Sequence, residues 1–276
     1  MSVTQRKILK ISHFSYSKLK ALPLGLGCVK NPPKELYYTG NQELLQAPLK
    51  VAIVGTRHPS QYTQQHTAWL AKEIAKLGAV VVSGGALGVD IIAQQHALPH
   101  TIMIAPCSLD YLYPPSNARI IEQIATEGLI LSEYAQNTTP HRYSFLERNR
   151  LVIALSDVVI ISEANLHSGS MSSAKYALHA QKPLFVLPHR LAESAGTQAL
   201  LAEDKAQSIY DIEAFCQTLC QTYKLNPPST PPLEDHLSFF KTNPTCEQAY
   251  ARYGTLIDEY ELQGLITRRH GRMVLA

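Results

Sequence analysis

Three observations predict an α/β fold with a mainly parallel sheet: six short apolar runs, segments of helical spacing between them, and a proline-rich break that separates a last, smaller unit. Near-continuous apolar runs suit strands covered on both faces, as in a parallel sheet with helices above and below.

Residues 34–48 (KELYYTGNQELLQAP) read as a short lead-in with turns. The first strand is VAIV (51–54), followed by helical spacing over 62–78 (YTQQHTAWLAKEIAKLG). AVVVSG (79–84) is the second strand, and SGGALGVD opens a helix at Val89 or Asp90 that runs through 98. TIMIAP (101–106), a helix over 118–128, LILSEY (129–134) and a helix over 145–156 continue the alternation. DVVIISEA (157–164), a helix over 170–181 and PLFVLP (183–188) complete it. Beyond residue 190 the pattern changes, and KLNPPSTPPLEDH (224–236) reads as a linker with four prolines. Three short helical stretches and LITRRHGRMVLA follow, the latter a hairpin with His270-Gly271 at its turn. Three helices and a basic hairpin outline a winged helix. The expected domains are therefore 1–223, a linker at 224–232, and a winged-helix-like unit at 233–276.

Composition bounds the function. The 276 residues are 45% hydrophobic and 17% charged, which excludes a disordered chain, and a net charge of +3 permits an anionic partner without demanding one. No apolar run reaches the ~18 residues of a membrane span. The amino terminus has no continuous apolar stretch or small-residue cleavage site, so the expected location is cytoplasmic. Five scattered cysteines form no CxxC pair and complete no zinc set with the dispersed histidines, so reduced thiols, no metal and no cofactor are expected. GxGxxG is absent, against a nicotinamide enzyme, as are GxSxG, HExxH and the Walker loop.

Ligands of such sheets bind outside the carboxyl ends of the strands, and the polar motifs fall there. Ser83, Gly84 and Gly85 could present amides to a phosphate, or the glycines could make a tight turn with Gly88 packing helix on strand. Arg57, just past the first strand, could clamp a phosphate. HRYSFLERNR interleaves Arg142, Arg148 and Arg150 with Tyr143 and Phe145, the combination of cations and stacking ring that suits single-stranded nucleic acid. Alternatively, Phe145 is a core residue and Arg148 and Arg150 pair with acidic side chains, Arg150 with Asp157 or Glu163. Ser168, Gly169, Ser170, Ser172 and Ser173 stand at the start of another helix, as a second phosphate seat or as a serine-rich cap.

IVGTR, VSGGALGVDIIAQ, SEY, SFLERNRLVIALSDVVIISEA and SGSMSSAKYA resemble, in order and spacing, the motifs of the DprA/Smf family of DNA-processing proteins. The resemblance covers about residues 30–215, and the chain looks particularly like the short epsilonproteobacterial form found in Helicobacter. It implies an extended Rossmann-like domain that forms a homodimer, binds single-stranded DNA without sequence preference in natural transformation, protects it and loads RecA onto it. Carried across, it implies that Arg57 and Arg142 meet phosphates and that Phe145 stacks on a base. Arg148, Asn149, the loop Ser83 to Gly85 and the loop Ser168-Gly169-Ser170 would line the same pocket. The chain departs from the family pattern at PHR (188–190) and EDKAQ (203–207), around the Gly196-Thr197 loop. The alternative is an enzyme, a nucleoside-monophosphate phosphoribohydrolase of the lysine-decarboxylase-like group. For that chemistry Glu133 and Glu163 are the remaining carboxylates near the rim. Arg268, Arg269 and Arg272 of the last hairpin are candidates for contact with duplex DNA or a protein partner.

Overall fold

A computed structural model describes residues 9–10, 15–141, 143–225, 233–254 and 256–276. The chain divides into two compact units, Met1–Pro227 and Pro228–Ala276.

The first unit opens with three short strands, β1 (Leu9–Lys10), β2 (Ser17–Lys18) and β3 (Tyr37–Gly40). The alternating part then runs β4 (Lys50–Val54), α1 (Gln61–Lys76), β5 (Val80–Ser83), α2 (Val89–Ala97), β6 (Thr101–Ile104), β7 (Tyr111–Leu112), α3 (Ala118–Glu127) and β8 (Leu129–Ser132). It continues α4 (Ser144–Leu155), β9 (Val158–Ile161), α5 (Gly169–His179), β10 (Leu184–Val186), α6 (Ala195–Ala202), β11 (Gln207–Ser208) and α7 (Ile212–Thr222). Nine of these strands form one sheet in the order β11-β10-β9-β4-β5-β6-β8-β3-β2. Pairing is parallel from β11 through β8, and antiparallel where β3 meets β8 and β2 meets β3.

Alternate residues of each central strand explain the layers. Ala52, Val54, Val82, Ile104, Val159 and Ile161 pack on one face with Leu151, Leu155, Ala174 and Leu200 of α4, α5 and α6. Val51, Ile53, Val81, Val158 and Ile160 face the other way, onto Leu70 and Ile74 of α1, Val89 and Ala93 of α2, and Phe215 of α7. Met103 and Ile130 meet Ile121 and Ile124 of α3. Each such aliphatic side chain contributes about 1.5–3 kcal/mol by leaving water, which is why runs without polar alternation fold into the middle of the sheet. Ser60 caps α1 by accepting from the Thr63 N–H at 3.2 Å, and Asp211 caps α7 by accepting from the Ala214 N–H at 3.0 Å.

Two expectations need correction. The lead-in is part of the sheet: Tyr37–Gly40 pairs antiparallel along Leu129–Ser132. A four-residue strand beside turn residues carries too short a pattern to be separated from a loop. The stretch after 190 also holds α6 and α7, whose short apolar faces complete the layers on opposite sides of the sheet.

In the second unit, α8 (Leu233–Phe240), α9 (Cys246–Tyr253) and α10 (Leu256–Leu262) precede a hairpin of β12 (Ile266–Arg269) and β13 (Arg272–Leu275). Phe240, Ala249, Ile257, Tyr260, Ile266 and Met273 form its own core. Thr245 and Gln248 make a reciprocal capping box at the start of α9. His270 and Gly271 both take positive φ, 50° and 76°, as a two-residue hairpin turn requires.

Candidate nucleic-acid interface

The strand order reverses at β4, with β5, β6 and β8 to one side and β9, β10 and β11 to the other. The segments leaving β4 and β9 diverge, and a crevice opens between them. There the loop after β4, the first turns of α4 and the amino terminus of α5 bound a recess of about 320 Å³.

The loop is tied on both sides: the Thr56 N–H donates to the Glu163 carbonyl at 2.8 Å, and its carbonyl accepts from the Val89 N–H at 3.2 Å. Arg57 follows, exposed, with its guanidinium carbon 4.8 Å from the centre of the Phe145 ring. Phe145 is half-buried, and Tyr113 stands 5.6 Å from it on centroids. The ring is thus held at the rim rather than sealed in the core, with a cation over it.

One turn along α4, Arg148 points inward and is only 2% exposed. Its Nη1 lies 3.9 Å from Asp90 Oδ2, an ion pair without a hydrogen bond, and both Nη1 and Nε lack any hydrogen-bond partner. The guanidinium lies on Gly84, where an added Cβ would stand 1.2 Å from Nη1. Asp90 accepts from the Gly84 and Ala86 N–H groups, yet burial outweighs these and Arg148 and pushes its carboxyl above the usual range. Burial likewise lowers Arg148 from its ordinary value, which is high enough for the guanidinium to stay charged.

These contacts correct the reading of the glycine loop as an open phosphate cradle. The Gly85 N–H donates to Gln94 Oε1 at 2.9 Å, and the Ser83 hydroxyl donates to the Ile53 carbonyl at 2.6 Å. The loop wraps an internal carboxylate and lets Arg148 lie flat upon it. None of Ser83, Gly84 and Gly85 lines the recess.

At the opposite wall, Ser168 Oγ accepts from the Met171 N–H at 3.3 Å and starts α5. First-turn N–H groups of a helix have no partner inside it, and Ser168, Gly169 and Ser170 line the recess with this end. Ser173 also lines it, is 1% exposed, and leaves its Oγ without a hydrogen-bond partner. Gly196 and Thr197, expected in a loop, lie instead in the first turn of α6 and support this wall: the Gly196 N–H donates to the Ala164 carbonyl at 2.8 Å, and Thr197 is buried.

The recess therefore gathers Arg57, Phe145, Arg148, Asn149, Ser168, Gly169 and Ser170 from the sequence-derived set. Arg142 lies outside the described residues. Ser173, one of the serines expected at the start of α5, joins the gathered residues, whereas Leu146 was not singled out and Asp90 was read only as the start of a helix behind the glycine cluster. Among the described lining residues two arginines face one carboxylate, leaving a net positive charge that the α5 amino terminus increases.

Arg150 pairs with neither Asp157 nor Glu163. It grips Glu133 bidentately at 2.7 and 2.6 Å, while Glu163 Oε2 accepts from the Ser60 and Thr63 hydroxyls at 3.1 and 2.6 Å. A larger hollow of about 600 Å³ lies between residues 25–30, α4 and the end of α5. Two of its cations are engaged: Arg150 as above, and Lys182 on the carbonyls of Ile153, Ala154 and Ser156. In the second unit, Arg268 binds Glu261 at 2.7 Å and Arg272 donates to the Asn243 carbonyl at 2.7 Å. Arg269 is exposed.

Four free thiols are described, of which burial pushes Cys107 and Cys216 up to about 12. Among the described residues no cluster of three His, Cys, Asp or Glu could hold a metal ion, and no helix is long and apolar enough to cross a membrane.

The family model described as DNA recombination-mediator protein A matches residues 7–220. DNA processing protein DprA of Bacillus subtilis is 32% identical over 204 residues, 72% of this chain and 69% of the relative. Protein Smf of a Synechocystis strain is 38% identical over 167 residues, and the match spans only 42% of that relative's length. A structure of DNA processing protein A from Helicobacter pylori, described for its single-stranded DNA binding mode, is 60% identical with a TM-score of 0.76. It covers 78% of this chain and 100% of that one. The Streptococcus pneumoniae DprA structure is 30% identical with a TM-score of 0.67, covering 74% of each chain.

Proposed function

This chain belongs to the DNA recombination-mediator protein A family, and on that premise we propose that it is a non-enzymatic, sequence-independent binder of single-stranded DNA in natural transformation. In this reading it acts in the cytoplasm as a homodimer, shields incoming strands and passes them to RecA. The observation that carries the reading is Arg57 poised over Phe145 at the mouth of a cationic recess. Arg57, together with Arg142, captures phosphates. Bases then stack on Phe145, at about 1–3 kcal/mol per base. Asn149 and the Ser168 to Ser170 wall hold the backbone, and Arg148 keeps the floor positive.

The phosphoribohydrolase alternative loses support from the same contacts. Glu133 is clamped by Arg150, and Glu163 is occupied by Ser60 and Thr63. Neither is placed as a free acid or base. Residues 233–276, read as a winged-helix-like unit, offer the exposed Arg269 to duplex DNA or a protein partner.

Titrating labelled poly-dT against the wild type and Phe145→Ala tests the reading. A folded Phe145→Ala should bind at least tenfold more weakly, about 1.4 kcal/mol or more. Equal binding would place the DNA elsewhere.

A further inference from the structure

Two side chains of the recess keep polar atoms without hydrogen-bond partners in the folded chain. Arg148 is 2% exposed with Nε and Nη1 unbonded, and Ser173 is 1% exposed with Oγ unbonded. Buried donors almost always find acceptors, and one left open in the wall of a cavity marks a place where an acceptor is supplied from outside. The adjoining amino terminus of α5, an 11-residue helix capped by Ser168, favours an anion at the same wall.

The charge and shape of the site select among anions. Arg57 and Arg148 against Asp90 leave one positive charge on the lining side chains, before the helix is counted. A phosphodiester inside a strand brings one negative charge, and its chain must enter and leave through the mouth. A phosphomonoester carries ~1.5 to 2 negative charges at neutral pH and three terminal oxygens, and its attachment needs one exit only. A recess of about 320 Å³, at the small end of ligand pockets, has room for such a group and the nucleoside attached to it.

Resting on the single-stranded DNA reading, we propose that this recess seats a phosphomonoester, the phosphorylated end of a strand or a free nucleotide, between Arg148, Ser173 and the amino terminus of α5. The attached sugar and base then lie toward Phe145 at the mouth. The protein thereby distinguishes a phosphorylated strand end from the strand's interior.

The test compares dT oligonucleotides carrying a 5′-hydroxyl, a 5′-phosphate or a 3′-phosphate, with a circular single strand and free dTMP alongside. Arg148→Met leaves Asp90 buried without its cation and can unfold the chain, so Ser173→Ala carries the test. A phosphorylated end should bind about fivefold to tenfold tighter than the hydroxyl end, the worth of about one hydrogen bond, and Ser173→Ala should remove most of that gain. If the ends bind alike but dTMP binds and Ser173→Ala weakens it, the seat serves free nucleotides. If the ends bind alike and dTMP does not bind, the proposal is overturned. The circular strand separates the two readings: its failure to bind removes the underlying function, whereas its binding without any preference for a phosphorylated end and without dTMP binding removes only the monoester seat.

Discussion

Arg57 shows how one side chain can be tested for its part in binding. It is exposed beside Phe145, so its contact with DNA is electrostatic and depends on salt. Arg57→Ala should lower the slope of log affinity against log salt by about 0.7, the value for one phosphate on a single strand, measured by poly-dT titration at several ionic strengths. Gly84 makes the opposite kind of demand. Its missing side chain lets Arg148 lie flat on the loop, so Gly84→Ala must push the guanidinium away from its place beside Asp90. A loss of about 1–3 kcal/mol in urea unfolding is expected from overpacking alone. Among the thiols, Cys107 and Cys216 are raised to about 12 by burial and stay protonated at neutral pH. Because the thiolate is the nucleophile, mass spectrometry after iodoacetamide treatment of the folded protein at pH 8 should find both unmodified.

At the level of α5, the serine cap fixes where the helix begins and therefore where its positive end faces. Ser168→Ala removes the acceptor for the Met171 N–H and should lower stability by about 1 kcal/mol. It should also weaken poly-dT binding, because the first turn lines the recess. The strand β3 teaches a different lesson. Tyr37 and Tyr38 are strand formers in a short stretch between turn residues, and pairing with β8 on one side and β2 on the other makes them part of the sheet. Local propensity is a weak guide where a neighbouring edge supplies the hydrogen bonds.

For the molecule as a whole, the cores of the two units are separate sets of residues. A chain ending at residue 227 should therefore fold and keep poly-dT affinity within about twofold, since the recess lies entirely within the first unit. If the truncated protein is folded but binds much more weakly, the last hairpin contributes to the single-stranded site.

The layered sheet was legible before any coordinates. Runs such as VAIV and DVVII leave no polar face, and a strand without one has to sit between two layers of helices. The placing of polar loops at the carboxyl ends of the strands followed from the same alternation, whereas the grouping of Arg57, Phe145, Asn149 and Ser168 to Ser170 into one pocket came from the family resemblance. The partner of each polar group was not legible. Whether the Gly84 amide meets a phosphate or a carboxylate depends on Asp90 and Arg148, residues nearly sixty positions apart that meet only when α2 and α4 pack around the end of β5. Close packing in three dimensions decided which polar atoms were satisfied internally and which, on the recess-lining Arg148 and Ser173, were left without a partner.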